Sequence, residues 1–336
     1  DLSADLQVDC GSPLVSLDAS ASAAGSGILY LWTTVNGHIA AGANSNIASV
    51  DAAGTYKLLI TNNGNGCTNT QTVNVSADLT LPVVDIQAAL NLDLQLDCLT
   101  PELTLNGTGS ASGAGIVYLW TTVDGHIVAG ANTLNGVIVD AAGTYVLHVT
   151  NNNNGCSNTD NITLSADLDL PLVSINTGLD LQLDCISPLI SLDASASASG
   201  SGISYLWTTL NGHIAAGVNS NIATVDAAGN YVLHISDSNN GCSASASVNV
   251  SVDLQLPTIN IAVAAPLGCA NSSIVLNASA SSQGNNFLYL WTTLDGNIVA
   301  GGNSLTPTVN AAGTYTLSIT NILNGCSVSA SVLVIG

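Results

Sequence analysis

The sequence predicts an all-β chain of four tandem β-sandwich domains, and three observations lead to this prediction. The pentapeptide YLWTT occurs four times, starting at Tyr30, Tyr118, Tyr205 and Tyr289. In each copy the tryptophan lies 22 residues after a cysteine, and a second cysteine follows the first cysteine by 57 or 58 residues. Short alternating segments are frequent, while no segment has a convincing helical period. A recurring unit of roughly 85 residues is long enough for one small domain.

The period places the four domains at 1-76, 82-165, 171-251 and 257-336, with linkers at 77-81, 166-170 and 252-256. The linkers are neither rich in Gly and Ser nor strongly charged, so they should not behave as flexible coil. We expect leucines such as Leu79 and Leu81 to pack between neighbouring domains and to make the array a stiff rod.

Period-two alternation predicts the strands within each unit. The clearest case ends the third unit, where every second residue is apolar: Cys242, Ala244, Ala246, Val248 and Val250. The same alternation leads through Leu181 and Leu183 to Cys185, which would place this cysteine on the core side. Asn-Gly and Asp-Gly pairs predict the turns. About seven short strands in each unit indicate a β-sandwich.

The first unit differs from the others at its start. Units two to four each have an apolar segment after the linker proline, at 83–86, 172–175 and 258–261, which predicts an opening strand. The first unit has nine residues before Cys10 and lacks this segment. A sandwich without its opening strand leaves an edge of unpaired backbone groups, and such an edge recruits a strand from elsewhere. We expect Asp1 to be a boundary within a longer array, with further repeats of the same kind on one or both sides. The alternative is that a neighbouring molecule donates the missing strand.

The charge composition excludes some partners. One basic residue, Lys57, stands against 22 acidic residues, which gives a net charge of -21. Nucleic-acid binding is excluded because no cationic surface exists to displace counterions. No apolar run approaches the length of a membrane-spanning helix, so we predict no direct membrane insertion of this segment.

Eight cysteines in four equally spaced pairs predict disulfides rather than metal sites, because no C-x-x-C or Cys/His cluster is present. A small domain is marginal on burial alone and benefits from a covalent staple. Disulfides indicate an oxidising, extracellular or cell-surface location. We predict pairing within each unit, that is Cys10 with Cys67, Cys98 with Cys156, Cys185 with Cys242, and Cys269 with Cys326.

The order of these segments, a Cys strand, Y-L-W-T-T, V-D-A-A-G-T-Y and an N-G-C strand, resembles the immunoglobulin-like or PKD-type repeats of giant extracellular surface proteins of Bacteroidota-type bacteria. The resemblance covers nearly the whole chain. It implies four tandem Ig-like β-sandwich domains with adhesive, spacer or filament roles. Tyr56 precedes Cys67 by eleven residues rather than the two of antibody-type domains. We therefore expect each bridge to tie an early strand to the last strand.

The aromatic residues are predicted to form the cores. The tryptophans are in phase with the inward tyrosines of a later strand, so we interpret both sets as core residues rather than ligand platforms. These residues are Trp32, Trp120, Trp207 and Trp291, with Tyr56, Tyr145, Tyr231 and Tyr315.

No catalytic constellation emerges from the sequence, and we expect no enzyme activity. His38, His126 and His213 occupy equivalent turns, and no Ser, His and Asp recur in fixed order. The linker carboxylates Asp78, Asp167 and Asp253 are weak calcium candidates, because Ca²⁺ takes six to eight oxygens and interdomain calcium rigidifies a rod. No D-x-D-x-D-G loop occurs, so the sequence predicts no metal and no other cofactor, with calcium left open.

Two functions from different classes remain. The first is a structural segment of a bacterial extracellular filament or hook-like appendage that associates laterally with identical chains. The second is a monomeric adhesin stalk whose repeats bind glycan or protein. The first is favoured because an apolar residue recurs on the strand face opposite Tyr and Trp, at Leu31, Leu119, Leu206 and Leu290, and this face would be solvent-exposed in an isolated sandwich.

Overall fold

The structure is a computed structural model that describes residues 6–87, 94–178 and 180–336. These residues form 27 strands and no helix, which confirms the all-β prediction. The first repeat contains β1 (Gln7–Asp9), β2 (Val15–Asp18), β3 (Ile28–Thr34), β4 (Ile39–Ala41), β5 (Ile47–Val50), β6 (Gly54–Asn62) and β7 (Thr68–Asp78). The second contains β8 (Gln95–Asp97), β9 (Leu103–Asn106), β10 (Ile116–Thr122), β11 (Ile127–Ala129), β12 (Asn135–Val139), β13 (Gly143–Asn151) and β14 (Cys156–Asp167).

The third and fourth repeats follow the same order. The third contains β15 (Gln182–Leu183), β16 (Ile190–Asp193), β17 (Ile203–Thr209), β18 (Ile214–Ala216), β19 (Ile222–Val225), β20 (Gly229–Asp237) and β21 (Ser243–Val252). The fourth contains β22 (Ile274–Val275), β23 (Phe287–Thr293), β24 (Ile298–Ala300), β25 (Thr308–Val309), β26 (Gly313–Asn321) and β27 (Ser327–Val334). No helix within the described ranges is long and apolar enough to cross a membrane.

Each repeat is a sandwich of two sheets. In the first repeat the strand orders are β1-β7-β6-β3 and β2-β5-β4, and the second and third repeats repeat both orders. Strand β1 pairs with β7 in parallel, and the other pairs are antiparallel. The described part of the fourth repeat has two three-stranded sheets, β23-β26-β27 and β22-β25-β24.

The core of each repeat lies between its two sheets and contains the aromatic residues. In the first repeat Trp32 is buried, and its Nε1 donates to the Ser45 carbonyl at 3.1 Å. The buried Tyr56 hydroxyl donates to the Ala52 carbonyl at 2.6 Å and accepts the His38 amide at 3.0 Å, so it holds two turns together. The equivalent residues are buried in the same way: Trp120, Trp207, Trp291, Tyr145, Tyr231 and Tyr315.

The chain divides into two compact units, residues 1–168 and 169–336, each of which contains two repeats. The last strands continue beyond the predicted domain ends, because β7 runs to Asp78, β14 to Asp167 and β21 to Val252.

The apolar segments after the linker prolines are extended but are not the regular opening strands that the sequence predicted. In the second repeat the Val83 carbonyl accepts from the Ala111 amide at 2.9 Å, but the next partner is a side chain, because the Asp85 amide donates to the Ser110 hydroxyl at 3.0 Å. A ladder that alternates between backbone and side-chain partners is not a continuous β-ladder. The segment nevertheless packs Val84 against the core.

Candidate functional site at the junction between repeats

The disulfides join consecutive repeats. Cys10 is bonded to Cys156 and Cys185 to Cys326, with Cα–Cα distances of 4.9 and 5.0 Å. In both units the first cysteine of one repeat therefore bonds to the second cysteine of the next. Cys98 and Cys242 are also disulfide-bonded. Among the described residues, the free cysteines are Cys67 and Cys269, and both are exposed.

The predicted pairing within repeats is therefore wrong: Cys10 does not bond to Cys67, Cys98 to Cys156, Cys185 to Cys242, or Cys269 to Cys326. The reason is that the first cysteine of each repeat lies beyond the alternating strand. Strand β8 ends at Asp97, whose Oδ1 accepts the amides of Leu99 and Thr100 at 2.9 and 2.6 Å. This turn carries Cys98 out of the period-two pattern, and Cys98 is exposed.

A buried asparagine connects three parts of the junction between the first and second repeats. Asn154 lies two residues before Cys156 and is 2 % exposed. Its Oδ1 accepts the Cys156 amide, and its Nδ2 donates to the Thr80 carbonyl of the linker, both at 3.0 Å. Its backbone carbonyl accepts the Cys10 amide of the preceding repeat at 3.0 Å. Asn154 thus forms hydrogen bonds within its own turn, with the linker and with the neighbouring repeat.

The same clamp recurs in the second unit. Asn324 is buried, and its Nδ2 donates to the Gln255 carbonyl and to Asp253 Oδ1, both at 3.0 Å. Its carbonyl accepts the Cys185 amide at 3.0 Å. Asn240 donates to the Asp169 carbonyl of its linker at 3.0 Å. The sequence predicted only Asn-Gly turns at these asparagines. The signal for the clamp was the N-G-C triplet, which occurs in all four repeats.

Glycine in this triplet permits the close approach of the neighbouring repeat. Gly155 has a φ of +68°, and a Cβ there would lie 2.5 Å from the Gly11 nitrogen of the preceding repeat. A Cβ on Gly325 would overlap the Ile186 side chain. Gly66, by contrast, has nothing within 4 Å of the corresponding position. The space around this glycine is thus filled only where a neighbouring repeat is present.

The linker then enters a groove at the edge of the following sandwich. Asn158 Nδ2 donates to the Pro82 carbonyl at 3.1 Å, and the Ile86 amide donates to Asp160 Oδ2 at 3.1 Å. Val84 and Ile86 pack against the buried core of the second repeat. The corresponding pairs in later repeats also pack on their cores: Val173 with Ile175, and Ile259 with Ile261.

The same groove is open in the first repeat. It forms a cavity of about 250 Å³ whose walls include Ser22, Trp32, Leu58, Ile60 and Gln71. Ile60 is partly exposed there, whereas its equivalents in the other repeats are fully buried. These equivalents are Val149, Ile235 and Ile319.

The carboxylates that were weak calcium candidates take part in the hydrogen bonds of the linkers. Asp78 Oδ1 accepts the Thr80 amide at 3.2 Å, and this bond, followed by those of the Thr80 and Asn154 side chains, lowers the pKa of Asp78. Asp253 accepts from Asn324, and Asp167 also has an interaction partner. Within the described residues no three His, Cys, Asp or Glu side chains form a group that could hold a metal ion.

The turn histidines form exposed pairs with aspartates. The distance between His Nδ1 and Asp Oδ1 is 2.6 Å in three repeats, and in the fourth Asn297 Nδ2 donates to Asn310 Oδ1 at 2.7 Å. The pairs are His38 with Asp51, His126 with Asp140, and His213 with Asp226. Because an amide pair forms the equivalent contact in the fourth repeat, each pair braces the same turn.

Apolar side chains recur on the outer face of the sheet that contains the tryptophan strand. Leu31, Leu119, Leu206 and Leu290 are exposed on this face. The residue after each YLWTT motif is almost fully exposed, which no pattern in the sequence had indicated. These residues are Val35, Val123, Leu210 and Leu294, with exposures of 99 to 107 %.

The sheets and their connections define a tandem array of immunoglobulin-like β-sandwich repeats. No protein-family model matches the chain, and no curated protein matches it. Among solved structures, it is similar to the immunoglobulin domains 1-5 of Sidekick-1, with 13 % identity and a TM-score of 0.26 over 96 % of this chain and 76 % of that chain.

Two other similar structures are cadherin domains EC1-4 of Drosophila N-cadherin and three N-terminal domains of the outer capsid protein Hoc of bacteriophage RB49. The first has 12 % identity and a TM-score of 0.26 over 94 % of this chain and 93 % of that chain. The second has 14 % identity and a TM-score of 0.31 over 76 % of this chain and 99 % of that chain.

Proposed function

We propose that this chain is a structural repeat segment of an extracellular filament or hook-like surface appendage, with no enzymatic role. The observation that carries the proposal is that disulfides join consecutive repeats, as between Cys10 and Cys156. A bridge within one repeat stabilises only that domain. A bridge between repeats also restricts the motion of one domain against the next, which is the property that a load-bearing array needs.

The junction has covalent and non-covalent parts that act together. The Cys10–Cys156 bridge closes a loop with a sequence separation of 146 residues, for which the chain-entropy model gives about 5 kcal/mol of stabilisation. The buried Asn154 adds hydrogen bonds to the linker and to the preceding repeat. Disulfides of this kind persist in oxidising surroundings, which supports an extracellular location at the cell surface.

Lateral association with identical chains is the second part of the proposal. Leu31 and its three equivalents expose apolar surface at the same position of each repeat, next to the nearly fully exposed Val35 and its equivalents. Repeated apolar patches mark interaction surfaces. An identical chain carries the same recurring patches, so a second copy offers apolar surface of the same kind.

The leucine face gives a direct test of lateral association. In the full chain, the triple substitution of Leu31, Leu119 and Leu206 by Asp should abolish concentration-dependent association in sedimentation velocity. The matched control replaces Ser16, Thr104 and Ser191 by Asp. These residues are exposed on the other sheet and undergo the same change in side-chain charge. We expect the control to associate like the parent chain.

Electron microscopy of the native particle distinguishes the filament from the alternative. A filament should show laterally bundled chains. A monomeric parent chain in sedimentation, together with single unbundled stalks in the images, would instead support a monomeric adhesin stalk with glycan- or protein-binding repeats.

A further inference from the structure

The Cys10–Cys156 and Cys185–Cys326 bonds create a covalent route along the array that is much shorter than the backbone. Their sequence separations are 146 and 141 residues, and only residues 156–185 connect one bond to the other. A chain spans at most about 3.3–3.6 Å per residue, so tension is taken by the shortest covalent route, which becomes taut first. From Cys10 to Cys326 this route runs through the first bond, residues 156–185 and the second bond.

Most of each β-sandwich lies off this route. The two bonds close residues 11–155 and 186–325 into side loops. The core aromatic residues all lie in these loops: Trp32, Trp120, Trp207, Trp291, Tyr56, Tyr145, Tyr231 and Tyr315. Cys98 and Cys242 are also disulfide-bonded, and a further bond can only shorten the route. Tension applied at both ends is therefore not transmitted through these aromatic residues.

The parts of the route that belong to the sandwiches are already extended strands. Strand β14 begins at Cys156 itself and runs for 12 residues to Asp167. A strand rises about 3.3 Å per residue, which is close to the most that any chain can span. Strand β14 therefore gains almost no length even if tension detaches it from β13 and β8. After the second bond, strand β27 follows Cys326 directly and continues the route in the same extended form.

The displaced pairing of the cysteines shortens the route more than pairing within repeats would. A bond between Cys10 and Cys67, with its equivalents in the other repeats, would leave the linkers 77–81 and 252–256 on the route. The observed bonds enclose both linkers in the side loops. At such a junction the load passes through a covalent bond and not through the linker and its hydrogen bonds.

We propose that this chain has a tensile function in which disulfides between repeats carry force around the β-sandwich cores. Under tension the array resists stretching through its covalent route, and the unfolding of a core releases no length while the bonds are intact. Each sandwich positions its cysteines for bonding and does not need to resist force by its own stability. This inference deepens the proposed structural role and rests on it, because only a chain under tension uses the route.

Stretching single full chains in optical tweezers, through short peptide tags at both termini and without reductant, measures the length of the route. The Cys10→Ser, Cys156→Ser double variant should gain at least about 350 Å of final contour length over the parent, because residues of the opened loop join the route. The matched control, Cys67→Ser with Cys269→Ser, removes two exposed free thiols and should gain nothing.

The final contour length depends only on covalent connections, so this result does not require that the double variant folds. A gain clearly smaller than expected, or an equal gain in the control, would overturn the proposal.

A second experiment separates mechanical load from thermodynamic stability. Trp32→Ala opens a buried core position and should lower the urea midpoint of the first repeat. In the parent background it should leave the force–extension curve unchanged, because Trp32 lies in a side loop. In the Cys10→Ser, Cys156→Ser background the same substitution should lower the unfolding force of the first repeat or abolish its unfolding step, because this repeat now lies on the route.

Two results of the second experiment would overturn the proposal. One is an added unfolding step in the Trp32→Ala chain with intact bonds. The other is an unchanged unfolding force when Trp32→Ala is placed in the opened background.

Both experiments use single chains, so neither depends on lateral association. Loss of the expected association in the parent chain, together with a short covalent route, would reject the bundled filament alone. A parent chain that associates but stretches as far as the double variant would reject the tensile route alone.

Discussion

The first and second repeats share strand order and core but differ at one end. In the second repeat the N-G-C triplet is enclosed by the linker and the preceding repeat, so Asn154 and Cys156 are buried. In the first repeat Asn65 and Cys67, which belong to the same N-G-C triplet, are exposed. The triplet alone forms only a turn. The presence of an adjoining repeat converts this turn into a junction.

The groove at the edge of the sandwich also differs between these two repeats, and the difference extends to their cores. Val149 is fully buried in the core against which Val84, from the segment after the linker proline, packs, whereas Ile60 is partly exposed beside an open cavity. Part of the core of each later repeat is therefore supplied by the apolar segment that follows its linker proline. The structural unit is a repeat together with the chain segment before it, rather than the sandwich alone.

The largest expected loss of stability comes from replacing the core tryptophan of the second or of the first repeat. Trp120→Ala should lower the free energy of unfolding of the second repeat by about 3–5 kcal/mol, because the linker closes the site and a cavity remains. Trp32→Ala should cost less, since Trp32 borders the open groove and water can enter the space. Hydrogen exchange resolved by repeat measures both values. Equal costs would show that the linker contributes nothing to closing the core.

The interdomain disulfide should give the next largest effect. Replacing both Cys10 and Cys156 by Ser should lower the free energy of unfolding of residues 1–168 by about 2–5 kcal/mol, because the bridge restrains the unfolded chain. Cys67→Ser in the isolated chain should leave stability unchanged, because this thiol is free and exposed. Urea denaturation under non-reducing conditions measures both. Destabilisation by Cys67→Ser equal to that of the double variant would contradict the assigned pairing.

The asparagine clamp should give a smaller effect of the same kind. Asn154→Ala should cost about 1–3 kcal/mol, because the Thr80 carbonyl and the Cys156 amide lose buried partners. Asn65→Ala should stay within about 0.5 kcal/mol, since Asn65 is exposed. The two substitutions are chemically identical, so a difference in urea midpoint reports the junction. Equal midpoints would mean that the clamp contributes no stability.

The strands and cores could be predicted because they depend on local periodicity. Alternation from Cys242 to Val250 corresponds to β21, where Val248 and Val250 are buried. The aromatic residues Trp207 and Tyr231 lie together in the third core. Such patterns are intrinsic to each repeat, so a single repeat is enough to reveal them.

The disulfide pairing could not be predicted in the same way. A constant distance of 57 or 58 residues between the two cysteines of each repeat is equally compatible with pairing inside a repeat and with pairing displaced by one full period. The choice depends on how repeats meet, as when the Cys10 amide reaches the Asn154 carbonyl. Spacing within a periodic sequence cannot specify which copy supplies the partner. The burial of Asn154 could not be predicted for the same reason, because it also depends on how the repeats meet.

The smallest expected effect concerns acid and the linker carboxylate Asp78. Its pKa is lowered from the ordinary value of 3.8, first by the Thr80 amide. A carboxylate with a lowered pKa contributes stability that is fully present above pH 3.8 and is lost as the pH falls through its folded-state pKa. Protection of the Thr80 amide, corrected for intrinsic exchange, should therefore be constant above pH 3.8 in the parent chain and fall only as the pH drops further below this value. Asp78→Asn should remove this pH dependence, whereas Asp193→Asn, which removes a similar carboxylate from a turn of the third repeat, should not. An unchanged pH dependence in Asp78→Asn would mean that another group controls the junction in acid.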